Sequence, residues 1–356
     1  MLNNNIQKAK ELKSQGFSFK QIAELLGSKP STVWDWVMDR KRNENVTVSN
    51  NPIPFKKPLA PISTPAKEEM IDFLSQLAPI EINKPIRQEI TQEANPYALV
   101  LGDIHFGTED WDVLNIFLQA VEEIRPSTII LNGDILDMFA ISRYSKDIRY
   151  NTSLLKEREE FHKFLYLLHE ITASYDAEIY ETNANHSGDG VEGRWWRYLS
   201  DRIGELGSLP EIKEKLSYQS IFYPQAEWNK TKLVDYLEIV EGFVIMHGDV
   251  VRRHGGYSAR GLFEKWFTSI MCNHTHRIGM TPQRIPSIGT QKEKIVRVYE
   301  NGCACNLKPL YATAANWQNA FSIVNYSKKE QDFSVETVLV TNKRAVVSML
   351  GKTLKV

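Results

Sequence analysis

Side chains that bind divalent metal ions follow several apolar stretches of the sequence that are predicted to be strands. These stretches lead into aspartate, histidine or asparagine, and the residues concerned are Asp103, His105, Asp134, Asn185, His186, His247, His274 and His276. Ligands of open α/β sheets bind at the carboxyl ends of strands, so these side chains are expected to meet at one rim. Asp103 and His105 are two residues apart, and an extended chain would point both to one side. The same spacing separates His274 from His276.

The composition of this set indicates which ions it would bind. Aspartate, histidine and asparagine without cysteine suit borderline or hard divalent ions such as manganese, iron or zinc. Eight such groups exceed the needs of one ion, whereas two ions about 3.5–4 Å apart that share a carboxylate would use them. A pair of ions can clamp a phosphate, activate water and neutralise the charge that develops during in-line displacement. The set therefore points to hydrolysis of phosphate esters.

In their order, these residues resemble the motifs of the calcineurin-like metallophosphoesterases, which are D-x-H, G-D-x-x-D, G-N-H-D/E, H and G-H-x-H. The corresponding pieces here are DIH (103–105), GDILD (133–137), NANH (183–186), His247 and NHTH (273–276). Any single piece arises often by chance, but five in order after apolar stretches are specific. The segment 301–326 also resembles the stretch that follows the last histidine motif in phage and prophage members of the family.

The resemblance implies a role for each residue. One ion would be held by Asp103, His105, Asp134 and His276. The other would be held by Asp134, Asn185, His247 and His274, with Asp134 bridging the two. His186 would be the catalytic histidine, which protonates the leaving oxygen or steadies the phosphoryl charge, and Asp137 would orient its ring. The nucleophile would be a metal-bound hydroxide, and manganese is the expected ion, with iron or zinc as alternatives.

Three positions depart from the family pattern. Ala184 stands where glycine is usual, Ser187 stands where an acid is usual, and Asn273 replaces glycine in the last motif. These positions shape the turns around the ligands rather than the ligand set itself. Catalysis is therefore expected, while the rate and the metal preference stay open.

Several nearby residues have both a functional and a structural interpretation. Arg194 follows the His186 loop and could meet a phosphate, or it could be a packing or solvated residue at the start of a helix. Residues 252–254 (RRH) could contact substrate, but a solvated basic loop is favoured. Cys303 and Cys305 are interpreted as small apolar residues on one face of a strand rather than as metal ligands.

The remaining histidines and aromatic residues have plainer interpretations. His162 and His169 are expected at the surface or at the edge of the core. Trp317 and Phe321 are interpreted as core anchors rather than as groups that stack on bases.

The elements that would position the site alternate between strand and helix. Apolar runs predict strands at 98–106, 127–137, 177–186, 243–249 and 271–276. Helices are predicted at 111–124, 152–174 and 257–270, and short β-like runs dominate beyond residue 295. This alternation predicts an α/β layered architecture. The family resemblance specifies it as two packed mixed β-sheets flanked by helices over residues 96–356.

Residues 1–44 predict a separate small all-α domain of the helix-turn-helix type. Ser18 and Gln21 form a capping-box pattern, Gly27 permits a tight turn, and Pro30 suits the first turn of a third helix. The module resembles the helix-turn-helix of transposase and regulator proteins. Residues 45–95 are predicted to be a proline-rich linker with one short helix at 67–78.

A helix-turn-helix interpretation names the residues that would touch DNA. Those that would face the major groove are Ser31, Thr32 and Asp35, and those that would reach phosphates are Lys29, Arg40, Lys41 and Arg42. Eight basic and five acidic side chains give residues 1–44 a net charge of +3, which supports DNA binding only modestly. The alternative is a three-helix module that binds protein or dimerises.

The bulk composition excludes several other classes of protein. With 356 residues and a net charge of −1, the chain can hold a catalytic and an accessory domain but is not a basic wrapper of nucleic acid. Three cysteines without regular spacing argue against a disulfide framework and fit a reducing compartment. The N-terminus lacks an apolar signal core, and no run approaches the ~18 apolar residues of a membrane span. A cytoplasmic protein without membrane contact is therefore expected.

Three functions are compatible with these features. The first is a phosphodiesterase or nuclease that the helical module delivers to nucleic acid, with DNA as the expected partner. The second is a phosphomonoesterase that acts on nucleotides or phosphoproteins, because one metal site serves both reactions. The third is a non-catalytic DNA-binding protein, which the complete ligand set argues against.

Overall fold

The computed structural model of the protein describes residues 2–14, 19–28, 33, 36–37, 94–143, 153–188, 193–225, 228, 231–287, 293–308 and 315–356. The chain divides into two compact units, Met1–Pro61 and Ile62–Val356. Most of the linker at 45–95, including the helix expected at 67–78, lies outside the described residues. So do all of the residues expected to contact DNA, which are Lys29, Ser31, Thr32, Asp35, Arg40, Lys41 and Arg42.

The first unit contains the helices α1 (Leu2–Ser14) and α2 (Phe19–Leu25), which pack through a small apolar cluster. The buried members of the cluster are Ala9, Ile22, Ala23 and Val33. Gly27 makes the turn after α2 with a φ of +59°, a backbone angle that glycine adopts without steric cost. The first two predicted helices are therefore present, and Val33 is buried as expected for the apolar face of a third.

The second unit is built from short strands that form two larger sheets and a hairpin. In chain order the strands are β1 (Asn95–Leu101), β2 (Pro126–Leu131), β3 (Glu178–Thr182), β4 (Lys232–Val234), β5 (Leu237–Val240), β6 (Phe243–Ile245), β7 (Ser269–Cys272), β8 (Ile278–Ile285), β9 (Lys294–Asn301), β10 (Ala320–Ser327), β11 (Asp332–Leu339), β12 (Arg344–Val347) and β13 (Lys352–Lys355). The larger sheet has the order β11-β10-β1-β2-β3-β4, and the second has the order β5-β6-β7-β9-β8. Strands β12 and β13 pair with each other.

Both larger sheets are mixed, with a parallel centre. Strands β1 to β4 run parallel, while β10 is antiparallel to β1 and to β11. In the second sheet β6, β7 and β9 run parallel, and the edge strands β5 and β8 are antiparallel to their neighbours. The parallel strands place their carboxyl ends, and the loops that follow them, at one rim.

Helices connect and cover the strands. They are α3 (Trp111–Ile124), α4 (Leu154–Thr172), α5 (Arg194–Ile203), α6 (Pro210–Lys215), α7 (Tyr218–Phe222) and α8 (Tyr257–Trp266). Helix α3 begins where the Asp110 carboxylate accepts hydrogen bonds from the backbone N–H groups of Asp112 and Val113, which have no partner inside the helix. Among the described residues, no helix combines the length and the apolar character that crossing a membrane requires.

Strand β1 shows how the layers pack. Leu99 and Leu101 join the apolar core that contains residues of α3 and α4. Ala98 and Val100 point the other way, into the cluster between the two sheets, where they lie with Ile245 of β6. Successive residues of a strand face opposite sides, so one apolar strand serves both layers. The expected architecture of two packed mixed sheets flanked by helices is confirmed.

One predicted helix boundary and one predicted burial are wrong. Helix α8 ends at Trp266 rather than at residue 270, because Phe267 adopts a left-handed backbone with a φ of 53° and β7 begins at Ser269. His162, expected at the surface or at the core edge, is fully buried, and its Nε2 lies 3.0 Å from the carbonyl oxygen of Phe222. A hydrogen bond to a backbone carbonyl allows a neutral imidazole to lie inside the core.

Candidate metal centre

The expected metal ligands lie in the loops that follow the strands, not on extended backbone. The strands end two or three residues before Asp103, Asp134 and His274. Left-handed backbone, with φ between 48° and 72°, occurs at Asp103, His105, Asp134, His274 and His276. The expectation that extended chain points each pair to one side is therefore wrong. A tight turn brings the side chains of Asp103 and His105 together instead, whereas His274 and His276 meet different partners, His247 and His105.

Backbone hydrogen bonds and a glycine hold these loops against each other. The N–H of Asp103 donates to the carbonyl oxygen of Gly133 (3.0 Å), and the N–H of Asn273 donates to that of His247 (3.1 Å). Gly133 has a φ of +73°, and a Cβ on it would lie 2.7 Å from His247 Cβ and Cγ. Glycine is therefore required beside His247, both for the backbone angle and for the space.

One group of ligand-type atoms comes from Asp103, His105 and His276, all of which are buried. The Nε2 atoms of His105 and His276 are 3.1 Å apart. Asp103 Oδ1 lies 3.6 Å from His276 Nε2 and 3.9 Å from His105 Nε2. One atom from each residue lies within 4.8 Å of the others, an arrangement that can surround a single cation.

A second group comes from Asp134, His247 and His274. His247 Nε2 lies 3.3 Å from Asp134 Oδ2 and 3.2 Å from His274 Nδ1. Asn185 joins this group, because its Oδ1 is 3.1 Å from His247 Nε2. Asp134 Oδ2 is also 3.8 Å from His105 Nε2, so Asp134 lies between the two groups. The structure thus brings together all seven residues expected to bind metal.

The donor set fits divalent cations. Both carboxylate oxygens of Asp103 are buried and have no hydrogen-bond partner among the described residues. Burial raises the pKa of Asp103 to about 7. A buried carboxylate without donors is costly unless a positive charge lies beside it. The surrounding nitrogen and oxygen atoms could supply such an ion with ligands.

The pKa values of the histidines and aspartates in the two groups are shifted by burial and by the charges of their neighbours. Burial opposes the charged form of His247, but Asp134 and Asp103 outweigh it and raise the pKa of His247 to about 9. Burial likewise opposes ionisation of Asp134, but the imidazoles of His186 and His247 hold its pKa well below the usual range. Burial, with the neighbouring His247, lowers the pKa of His274 to about 4. The His274 imidazole is therefore neutral at pH 7, as metal binding requires.

His186 lies at the edge of these groups, with Nε2 3.9 Å from Asp134 Oδ2. Its Nδ1 lies 3.1 Å from Asp137 Oδ1, and Arg194 Nη2 lies 2.7 Å from its Nε2. A guanidinium only donates, so Nε2 accepts and Nδ1–H donates to Asp137. Arg194 Nη1 also donates to the Asp137 carbonyl oxygen at 2.6 Å. Asp137 thus contacts the His186 ring as expected, and Arg194, whose role the sequence left open, lies in the site.

A buried carboxylate stands behind the His186 loop. Ser187 Oγ donates to Glu181 Oε1 (3.1 Å) and accepts from the N–H of Ile135 (3.0 Å). The hydroxyl groups of Tyr218 (3.0 Å) and Tyr223 also donate to Glu181. Glu181 lies on β3, so the strand supplies a carboxylate next to the position where the family pattern has an acid. A motif comparison cannot find it, because it precedes the motif.

Asn273, which replaces a glycine of the family pattern, fills the space between neighbouring loops. Its Oδ1 accepts from Asn132 Nδ2 (2.7 Å), and its Nδ2 donates to the Gly302 carbonyl oxygen (2.9 Å). A Cβ on Gly102 would lie 2.6 Å from the Asn273 side chain. The asparagine therefore packs against a glycine on the neighbouring loop and ties that loop to two others.

His276 has two neighbours on the side away from Asp103. Its Nδ1 lies 3.7 Å from Cys305 Sγ, and its ring packs edge-on against Trp317 with the centroids 4.2 Å apart. Cys303 and Cys305 are buried, as expected of small apolar residues, and form a group of ligand-type atoms with His276. The expectation that they lie in a strand is wrong, because they follow β9 in isolated bridges. Trp317 is only partly buried, so it is not a core anchor, whereas Phe321 is one.

The remaining basic candidates lie apart from these groups. Arg252, Arg253 and His254 are exposed, in agreement with a solvated loop. Arg277 fixes that loop, because its guanidinium donates to the carbonyl oxygens of Arg252 (2.5 Å) and Arg253 (2.7 Å). His169 is half-buried on α4.

Comparisons with known proteins match separate parts of the chain. Residues 4–50 match the family model described as "Putative ATPase subunit of terminase (gpP-like)". The gene 54 protein of Mycobacterium phage L5 is 22% identical over 236 residues, covering 64% of this chain and 87% of the relative. The gene 54 protein of Mycobacterium phage D29 is 23% identical over 234 residues, with the same coverage. The solved structure of the Pseudomonas putida nuclease MPE matches at 13% identity and a TM-score of 0.28, covering 60% of this chain and 76% of that one.

The family resemblance extends beyond the spelling of the motifs. The five motifs stand in order, each follows a strand, and their side chains meet at one rim of the fold. In its motifs, its two-sheet architecture and the position of its ligand-type residues, the chain resembles the calcineurin-like metallophosphoesterases, in a form related to phage proteins.

Proposed function

We propose that the chain is a metal-dependent phosphodiesterase that hydrolyses nucleic acid. The observation that carries the proposal is the meeting of side chains from five separate loops in two groups joined through Asp134. The proposed ligands of the metal ions are Asp103, His105, Asp134, Asn185, His247, His274 and His276. Two bound divalent ions, manganese in the first instance, would lower the pKa of water and neutralise charge on a phosphoryl group.

The residues next to the ligands have separate proposed tasks. His186 faces the groups through Nε2, which carries no proton while Nδ1–H donates to Asp137; Nε2 would first have to gain a proton before it could protonate a leaving oxygen. Asp137 holds the opposite nitrogen and so keeps the ring in one tautomer. Arg194 donates to His186 Nε2, and a phosphoryl oxygen would be a stronger acceptor for the same guanidinium. Substrate binding would thus draw Arg194 to the phosphate and free His186 Nε2.

Hydrolysis of bis-p-nitrophenyl phosphate and of p-nitrophenyl phosphate with Mn²⁺ separates diesterase from monoesterase. We expect the diester to be preferred, and we expect Asp134→Ala to abolish turnover, because the residue lies between both groups. Asp332→Ala is the matched control, since that aspartate is exposed and pairs with Arg297 outside the groups. Full activity in Asp134→Ala would refute the site, and a preference for the monoester would favour the phosphatase alternative.

The N-terminal module is the proposed means of reaching DNA. Its support is the predicted helix-turn-helix pattern, the net charge of +3 over residues 1–44 and the terminase-family match to residues 4–50. We expect deletion of residues 1–44, or the triple substitution Arg40→Ala, Lys41→Ala and Arg42→Ala, to weaken DNA binding in a gel-shift assay while turnover of the small diester persists. Unchanged DNA affinity in both variants would leave the module as a protein-binding or dimerisation domain.

A further inference from the structure

Helix α5 has two unlike faces. Trp195, Leu199 and Ile203 are buried in the core. The opposite stripe follows the i, i+3, i+4, i+7, i+8 spacing of one helix face and consists of Arg194, Arg197, Tyr198, Asp201 and Arg202. All of the stripe lines a cavity of about 1140 Å³ that also reaches Asn185, His186 and His274. The polar stripe of α5 is therefore a wall of the cavity that opens on the candidate metal centre.

Positive charge begins at this centre and continues outward along the stripe. Arg194 lies against His186, and Arg197 Nη2 donates to the carbonyl oxygen of Asn185 at 3.1 Å. Arg202 comes eight residues after Arg194, which corresponds to about 12 Å along a helix axis. Its guanidinium carbon lies 5.0 Å from the centroid of the Tyr198 ring. An aromatic ring thus stands between the inner and the outer cations.

The acidic residues of the cavity have partners of their own. The pairs are Asp201 with Arg143 (3.7 Å), Asp249 with Lys265 (2.8 Å) and Asp235 with Asn183 (2.9 Å). Arg143 and Lys265 thus offset the charges of Asp201 and Asp249, whereas Asp235 keeps its charge because an amide is neutral. The three arginines of the stripe still outnumber that one carboxylate.

The lining continues past the first cavity. A second cavity of about 990 Å³ shares Arg143, Arg197 and Asp201 with the first and adds Trp196 and Lys213. A pocket for one drug-sized ligand measures about 300–1,000 Å³, so the two together exceed the needs of a single nucleotide. Because the two cavities share these residues, they adjoin each other along α5.

We propose that the polar stripe of α5 binds a single-stranded polynucleotide, holding the phosphates and bases next to the scissile phosphodiester. This inference rests on the proposed function. A phosphate monoester or a mononucleotide would place its charge near Arg194, which leaves Arg202 without a role. A single-stranded polynucleotide carries a phosphate at every nucleotide. A basic groove with aromatic side chains is the arrangement that binds such a polynucleotide.

The test compares substrates of increasing length that share one kind of cleavable group, the phosphodiester: bis-p-nitrophenyl phosphate, a dinucleotide and a single-stranded 12-mer. We expect KM to fall from the dinucleotide to the 12-mer. Arg202→Ala and Tyr198→Ala should each raise KM for the 12-mer about fivefold or more, and this loss should exceed any loss on the small diester. Arg202→Ala should also reduce the salt slope of 12-mer binding by about 0.7. Arg284→Ala, an exposed arginine paired with Glu293 outside both cavities, is the matched control.

The outcomes separate this inference from the function on which it rests. If neither the small diester nor any oligonucleotide is hydrolysed with divalent metal, the proposed function fails. Turnover of the small diester without cleavage of any oligonucleotide overturns both the strand-binding role and the nucleic-acid substrate of the proposed function. A 12-mer KM that is unchanged in Arg202→Ala and Tyr198→Ala overturns the strand-binding role alone. Cleavage of duplex but not of single-stranded 12-mer also overturns it.

Discussion

His247 lies beside both carboxylates of the candidate metal centre, and this position determines how cations would bind. With its pKa raised to about 9, the imidazole is protonated at pH 7 in the metal-free protein. Binding of a cation through its Nε2 must then release that proton. We expect about one proton to be released near pH 7.5 when the group that contains His247 binds its ion, and the affinity of that group for Mn²⁺ to rise with pH until about 9. Calorimetry in two buffers of unlike ionisation enthalpy measures the release, and a pH-independent affinity would contradict it.

Cys305 is expected to act on metal binding through His276. A ligating imidazole is normally fixed by an acceptor on its other nitrogen, and here the nearest group is the Cys305 thiol, 3.7 Å from Nδ1. Loss of such a partner weakens metal affinity by roughly 10–100-fold. We expect Cys305→Ala to weaken Mn²⁺ binding about tenfold, at the low end of this range because sulfur is a weak acceptor.

The conservative substitution Cys305→Ser serves as the control, since its hydroxyl can accept the same hydrogen bond. Equal affinities in the wild type and in Cys305→Ala, measured by titration with Mn²⁺, would show that the thiol only fills space.

At the scale of residues, the sequence predicted which side chains meet but not how. The order of the motifs was enough to predict that Asp103, Asp134 and His247 lie close together. Strands that end at one rim leave the residues directly after them few other positions. The left-handed turns were not predicted, since aspartate and histidine adopt that backbone only occasionally, whereas glycine adopts it freely. Cys305 and Glu181 were missed because their roles come from tertiary contacts with motif residues.

Strand β3 and helix α7 are coupled to the His186 loop through Glu181. Introducing the acid of the family pattern by Ser187→Asp would bury a second carboxylate beside Glu181. An unpaired buried charge costs about 3–5 kcal/mol, so we expect the free energy of unfolding to fall by several kcal/mol. Adding Glu181→Gln should recover much of that loss, because it removes the repulsion.

Urea unfolding of the two single variants and the double variant forms the cycle that measures this coupling. Additive effects would show that position 187 and Glu181 do not interact. Recovery in the double variant would explain why this chain has serine at that position.

At the scale of elements, apolar runs gave the central strands and periodicity gave α3 and α4 closely. The boundary of α8 was missed, since the residues from Phe267 to Ile270 are apolar or small and resemble a further helical turn. Helix α8 ends at a residue with left-handed backbone, and the periodicity of apolar residues does not predict such a residue. Helices α6 and α7 were not predicted because each is shorter than two turns, too short for a periodic pattern.

For the molecule as a whole, the buried His162 predicts a dependence of stability on pH. Burial and the nearby Arg158 lower the pKa of His162 to about 4, below the value of 6.5 for a free histidine. Between these values the unfolded chain binds a proton that the folded chain does not, so stability falls as the pH drops from 6.5 towards 4. We expect His162 to account for about 2 kcal/mol of the loss in unfolding free energy between pH 7 and pH 5.

His162→Gln is the comparison, because its amide can donate to the Phe222 carbonyl oxygen without titrating. Urea unfolding at pH 5, 6 and 7 measures both proteins, and parallel pH profiles would exclude His162 as the source.

The overall organisation was predicted only in part. Motif order identified the layered catalytic unit, and a capping pattern with Gly27 indicated the helices of the first unit. Net charge did not reveal the arginine stripe of α5, because acidic residues elsewhere in the chain balance it. The stripe can be recognised only once the structure shows which face of α5 is buried in the core and which face lines the cavity.

The left-handed backbone at Asp103, His105, Asp134, His274 and His276 sets stability against activity. Each such residue costs roughly 1–2 kcal/mol relative to ordinary backbone, and glycine or asparagine would relieve much of it. A laboratory selection for heat resistance alone is therefore expected to collect replacements at these five positions and to yield sturdier, inactive proteins. Thermostable variants that remain active would have to gain their stability elsewhere in the molecule.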